Sequence, residues 1–148
     1  MAAKQIEFKI VTPEKVLYDA MVEGVSFPTV EGEITVLPHH IPIISAIKPG
    51  ELKIRINGKD EFFHVTSGVL EVDGQSITLL TDAAERASDV NEKRAQEAVE
   101  RAQAIMSEKR QDEEGYIEAV AEMERALSRI RIAKKHRHGG SKPSFNQD

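Results

Sequence analysis

The 148-residue chain contains no cysteine and no tryptophan, and only two tyrosines and five phenylalanines. The missing cysteines exclude disulfides, thiolate zinc sites and cysteine nucleophiles, and they agree with a reducing compartment. No apolar run approaches the length of a membrane span, and the opening Met-Ala-Ala-Lys-Gln-Ile-Glu-Phe lacks the apolar centre of a secretory signal. The chain is therefore expected to be unprocessed and cytosolic. No glycine-rich phosphate loop, no GxSxG elbow and no convincing nucleophile–base pair occurs. Catalysis by this chain alone is not expected.

What is present changes character at Ser88. Before it run short alternating apolar segments joined by Asn-Gly and Asp-Gly turns; after it come two charged, alanine-rich stretches with helical spacing. Residues 1–84 carry seven basic and twelve acidic side chains, whereas residues 85–148 carry thirteen of each. The second half is graded: no acid follows Glu124 until Asp148, while Arg125, Arg129, Arg131, Lys134, Lys135 and Arg137 cluster late.

In the first half, the segment 5–12 alternates with Ile6, Phe8 and Ile10 on one face, and 15–27 is rich in β-favouring residues. Pro38, Pro42 and Pro49 confine the strands around them to short lengths or sheet edges. Leu52, Ile54 and Ile56 alternate with Lys53 and Arg55, and Asn57-Gly58 predicts a type I′ turn into 61–65. Asp73-Gly74 repeats that arrangement between 69–72 and 76–80. Two hairpins and several short strands predict an all-β antiparallel sandwich or flattened barrel over residues 1–87.

Asp89 with Glu92 resembles a capping box opening a first helix, with Ala95, Ala98, Val99, Ala102, Ile105 and Met106 on one face up to Lys109. A polar connection over 111–115 leads to a second helix whose stripe is Tyr116, Ala119, Val120, Met123, Ala126, Leu127, Ile130 and Ala133. Each helix should run about 19 residues, roughly 28 Å. The α-helical hairpin spans 88–138, Gly139-Gly140 ends it, and 139–148 reads as a disordered tail. Its alanine-rich seam buries little apolar area, so this element should be able to open.

His39-His40 lacks the third and fourth ligands that zinc wants, and no metal site is expected. Arg94 and Arg101 lie seven apart on the first helix, Arg125 and Arg129 four apart on the second. Across a folded hairpin these four guanidinium groups could grip a polyphosphate; equally, they could be routine surface partners of Glu97 and Glu122. The basic end suits a partner with an acidic surface better than it suits nucleic acid, because the strand half is acidic and stacking aromatics are scarce. A basic-tailed nucleic-acid-binding β-barrel is a remote alternative.

The run Gly32-Glu33-Ile34-Thr35-Val36-Leu37-Pro38-His39-His40-Ile41-Pro42, with Pro49-Gly50 and Gly68-Val69-Leu70-Glu71-Val72, resembles the epsilon subunit family of the F-type ATP synthase, bacterial members most. Ala84-Glu85-Arg86-Ala87 and Arg125-Ala126-Leu127-Ser128-Arg129-Ile130 extend the likeness into the helical half. The resemblance implies a non-catalytic rotor part of the central stalk, peripheral on the cytoplasmic face of a bacterial plasma membrane, with the chloroplast thylakoid as the alternative. It implies a ten-stranded sandwich that docks the gamma subunit and the c-ring, with Pro38, His40 and Pro42 in the rotor-docking loop. It also implies a mobile hairpin that enters the alpha/beta catalytic hexamer and inhibits ATP hydrolysis, with Arg125, Arg129, Arg131, Lys134 and Lys135 against an acidic segment of the beta subunit. Membrane association would come only through the complex.

Some members bind ATP on the folded hairpin through an Ile/Leu-Asp-x-x-Arg-Ala motif, and the matching stretch here is Val90-Asn91-Glu92-Lys93-Arg94-Ala95. Arg94 lies in the motif, Arg101, Arg125 and Arg129 fall at the other basic positions, and Glu85 matches a further polar contact. Asn91 replaces the aspartate, a change expected to weaken binding by about one to two kcal/mol. No cofactor is required on this account, and ATP enters as a regulatory ligand.

Overall fold

The computed structural model describes residues 4–138. Gly139-Gly140 and the expected tail over 141–148 lie outside the described residues. Two compact units divide the chain, Met1–Arg86 and Ala87–Asp148.

The first unit is one ten-stranded sheet folded on itself. Its strands are β1 (Ile6–Val11), β2 (Val16–Val22), β3 (Gly24–Thr29), β4 (Gly32–Val36), β5 (Ile43–Ile47), β6 (Gly50–Ile56), β7 (Lys59–Val65), β8 (Gly68–Val72), β9 (Ser76–Thr81) and β10 (Ala84–Arg86). The order is β10-β7-β6-β3-β5-β8-β9-β1-β2, with β4 on the other edge of β3. β3 turns the corner between the layers, pairing with β6 through Gly24–Ser26 and with β5 at Thr29. Every ladder is antiparallel except β1 with β9, which is parallel. Local alternation cannot reveal that pair, because the connection between its strands is the rest of the sheet.

Alternation sends one side of each strand inward. Ile6, Phe8 and Ile10 are at most 1 % exposed, as expected, and Val25, Phe27, Leu52, Ile54, Leu70, Ile77 and Leu79 join them in one core. The aromatic rings of this unit cluster: Phe8 lies 5.7 Å from Phe27 and from Tyr18, and Tyr18 lies 5.6 Å from Phe63. Burying each such side chain contributes about 1.5–3 kcal/mol.

The hairpin signals behave individually. Asn57 and Gly58 have φ of 51° and 72°, the left-handed pair that a type I′ turn demands between β6 and β7. Asp73-Gly74 sits instead in a three-residue connection in which the Asp73 carboxylate accepts the N–H groups of Gln75 and Ser76. Those bonds hold the Asp73 carboxyl below its usual range. The β-favouring stretch over 15–27 forms two strands, β2 and the start of β3, separated at Glu23. Ala84–Arg86, within the expected sandwich span of 1–87, is strand β10, where Arg86 lies over the Phe63 ring at 5.1 Å and bonds Glu61 at 3.2 Å.

In the second unit, a 3-10 turn at Ala87–Asp89 precedes α1 (Glu92–Glu108) and α2 (Glu114–His138). The N-cap of α1 is Asn91, whose side chain accepts the Arg94 N–H, and not Asp89, which the 3-10 turn consumes. The helices are 17 and 25 residues long, not about 19 each, because α2 continues through its basic end. On α1 the expected stripe holds, with Ala95, Val99 and Ala102 buried. On α2, Ala119, Ala126 and Ala133 are buried at seven-residue spacing, but Leu127 is 41 % exposed while Ser128 and Ile132 are buried. A single-stripe pattern misses this, since α2 buries two sides.

Candidate functional site

The outer face of the sandwich is chemically divided, and the register explains how. Across β5, β8, β9, β1 and β2, the positions Ala46, Val69, Leu80, Val11 and Val16 are successive cross-strand partners. All point away from the core, and Val69, Leu80 and Val16 are 44 %, 47 % and 56 % exposed. The adjacent row, Ile44, Glu71, Thr78, Lys9 and Asp19, is mostly polar, as the solvated side of an antiparallel sheet should be. The apolar row is thus a local departure from the pattern its own neighbours keep. A shallow groove of about 530 Å³ runs along its middle, lined by Val11, Pro13, Gly68, Val69 and Leu80.

Gly68 lets the β8 backbone approach β9: a Cβ there would run into the Leu80 carbonyl oxygen. The sequence predicts strands over 5–12, 69–72 and 76–80 but not the segment of Ala46, and not the row. The signal was apolar residues at outward parity, and only the register assembles them.

The loop carrying Pro38, His40 and Pro42 leaves β4. The His40 N–H donates to the Leu37 carbonyl at 3.1 Å, closing a turn with Pro38 second and His39 third at φ 67°. His39 and His40 therefore belong to a turn. His40 Nδ1 lies 2.7 Å from the Ile41 carbonyl oxygen. Pro42 is exposed, and Ile41 at 72 % exposure crowns the loop. Among the described residues no group of three or more His, Asp or Glu side chains is placed to hold a metal ion.

On the hairpin, Arg101 of α1 pairs with Glu122 of α2 at 3.9 Å, in place of the expected Glu97–Arg101 and Glu122–Arg125 pairs. That bridge marks where the two helices face each other, and Arg94 and Arg129 each lie two turns from it along their own helices. Arg94, Arg101 and Arg125 are exposed, and Arg129 is half-buried. Arg131, Lys134 and Lys135 are exposed on the last turns of α2, on a different side from Arg125 and Arg129. Glu85 lies on β10 in the first unit, opposite His64. Asn91 is exposed, its side-chain oxygen engaged in capping.

These two units coincide with two known domains. Residues 5–87 match the family model described as ATP synthase, Delta/Epsilon chain, beta-sandwich domain, and residues 88–134 match the long alpha-helix domain of the same chain. The ATP synthase epsilon chain of Syntrophobacter fumaroxidans is 40 % identical over 133 residues, covering 90 % of this chain and 98 % of the relative. That of Dehalococcoides mccartyi is 37 % identical over 133 residues, covering 90 % and 95 %. Among solved structures, a chain of the Euglena gracilis mitochondrial ATP synthase (OSCP/F1/c-ring) shares the fold with a TM-score of 0.72 at 22 % identity, covering 93 % of this chain and 84 % of its own. A chain of the Tetrahymena thermophila mitochondrial ATP synthase (central stalk/c-ring) gives 0.55 at 17 % identity, covering 92 % and 98 %. With both domains matched and the relatives spanned almost end to end, the chain belongs to the ATP synthase delta/epsilon chain family.

Proposed function

We infer that this chain is a non-catalytic central-stalk subunit of an F-type ATP synthase, coupling rotation of the membrane ring to the catalytic head. The outward apolar row Ala46–Val69–Leu80–Val11–Val16 carries the inference. A sheet face with such a row is built to be covered, and the gamma subunit is the occupant that the family membership supports. The loop of Pro38, His40 and Pro42 is the proposed contact with the c-ring. No described helix is long and apolar enough to cross a membrane, so attachment at the cytoplasmic face of a bacterial membrane would run through these partners. Calorimetry of the full chain with its cognate gamma subunit tests the docking face. Leu80→Asp should weaken binding by about tenfold or more, the scale of losing a central apolar contact; unchanged affinity would remove the face from the interface.

The hairpin is proposed to inhibit ATP hydrolysis by placing Arg125, Arg129, Arg131, Lys134 and Lys135 against the beta subunit. Their spread over more than one side of α2 suits a helix surrounded by partners rather than one lying on a flat surface. A complex carrying the chain truncated after Ser88 should hydrolyse ATP faster; an unchanged rate would dismiss inhibition and leave coupling intact.

A second role, ATP sensing, is favoured by the Arg101–Glu122 contact across the hairpin, two turns from Arg94 on one helix and from Arg129 on the other. Titration of the full chain with millimolar ATP decides it, and absence of heat would end it.

A further inference from the structure

On the other half of the sandwich, β3, β4 and β6 enclose a recess of about 270 Å³. One cross-strand row, Thr35–Ser26–Lys53, runs through it, flanked by Gly24, Leu37 and Arg55. Gly24 leaves the floor open: a Cβ there would come within 2.9 Å of Leu37 Cδ2. Ser26 is only 5 % exposed although it faces outward, and its Oγ lies 2.8 Å from Thr35 Oγ1. Two hydroxyls sharing one hydrogen bond leave one O–H proton to donate elsewhere.

The charges around the recess are unequally engaged. Arg55 Nε is 3.1 Å from Asp60, and Glu23 accepts the Gly58 N–H at 3.0 Å. Lys53 makes no ion pair among the described residues. The recess therefore presents an ammonium and a hydroxyl donor beside an apolar wall, the complement of a carboxylate on an aliphatic stem.

An open backbone edge adjoins it. The Pro28 carbonyl accepts the Lys48 N–H and Val30 donates to the Ala46 carbonyl, so Thr29 turns its polar groups toward β4. Alternation then directs Gly32, Ile34 and Val36 toward β3 and sends the N–H and C=O groups of Glu33 and Thr35 outward. Among the described residues β4 has no second strand neighbour.

We propose that the open edge of β4 and the Lys53 recess form one docking site for an extended segment of a partner protein that carries a single glutamate among β-favouring residues. The segment pairs with the backbone of Glu33 and Thr35, and its glutamate leans across Thr35 to place its carboxylate against Lys53 and the Ser26–Thr35 hydroxyls. This mode takes affinity from main-chain bonds and specificity from one pocket. It uses different strands from the apolar row and stands or falls independently of it.

The test is an NMR titration of the ¹⁵N-labelled full chain with acetyl-Thr-Val-Glu-Val-Thr-amide, its Gln counterpart and inorganic phosphate. The glutamate peptide should shift the amides of Glu33 and Thr35, and the Gln peptide should bind about five-fold more weakly, the scale of one charge-assisted bond. Lys53→Gln should equalise the two; if that variant does not fold, the ratio on the native chain decides. No shift at millimolar peptide, shifts away from β4, or equal affinities on the native chain would each overturn the proposal. So would phosphate shifting the Ser26 and Lys53 signals while peptide leaves β4 unmoved.

Discussion

The side-chain oxygen of Asn91 accepts the backbone N–H of Arg94 at 3.0 Å, so the residue that stands where the resembled family motif has aspartate is also the one that starts α1. An amide caps a helix about as well as a carboxylate does but adds no charge to its positive end. Asn91→Ala should cost the hairpin about 1 kcal/mol. Asn91→Asp should keep the cap, gain about 0.3–1 kcal/mol from the helix dipole and tighten any ATP binding. Thermal melts and calorimetry of the two variants measure both effects; an Asn91→Ala protein as stable as the parent would show the cap to be idle.

Gly68 supports a second prediction. Its neighbour across the ladder is Thr81, and the Leu80 carbonyl occupies the space any side chain would need. Gly68→Ala should destabilise the sandwich by about 2 kcal/mol or more, seen as a lower denaturant midpoint with an unchanged slope.

Tyr18 packs on Phe8 and Phe63, and burial raises its phenol above the usual 10.0, with a smaller push from Glu61 and an opposing pull from Arg86. The folded chain holds this proton more tightly than the unfolded one. The resulting stability is complete below the unfolded pKa, near 10.0, and is lost as pH rises through the folded one. In a Tyr116→Phe background, the absorbance titration of Tyr18 should have its midpoint above 10.0; a midpoint at or below it would contradict the burial.

The buried residues of the two helices are mostly alanine (Ala95, Ala102, Ala119, Ala126 and Ala133, with Val99, Ser128 and Ile132), whereas the sandwich core is Phe, Ile, Leu and Val. Alanine buries little, so the helices should open more readily than the strands. Amide hydrogen exchange should show lower protection across α1 and α2 than across β1, β6 and β9. Equal protection would mean that the hairpin is held by more than its seam.

The strand half was legible wherever the sequence needed only local chemistry. Asn57-Gly58 fixes its own turn, and Ile6, Phe8 and Ile10 declare their buried face. What could not be read depends on pairing. The parallel β1–β9 ladder joins the first strand to the ninth, and the apolar row exists only once Val11, Val69 and Leu80 become neighbours. Asp89 misled because Asp at the right spacing marks a cap equally well two residues before the true one. β10 was hidden by its length: Ala84–Arg86 has too few residues to alternate, and its position comes from its antiparallel ladder to β7, Ala84 opposite Val65 through Arg86 opposite Phe63. In α2 the second buried side, Ser128 and Ile132, falls outside a seven-residue stripe that was otherwise right at Ala119, Ala126 and Ala133. The basic positions on the hairpin were legible as residues, while their pairing was not, since Arg101 reaches across to Glu122 rather than along its own helix.

The apolar row is proposed to seat this subunit on the rotor and so to couple ATP hydrolysis to proton movement. ATP-driven proton pumping in inverted membrane vesicles, stripped of their own copy and resupplied with this chain, measures it. The parent chain should restore pumping, and the double variant Val69→Asp, Leu80→Asp, folded as judged by its melting curve, should not. Full restoration by the double variant, or none by the parent, would contradict the account.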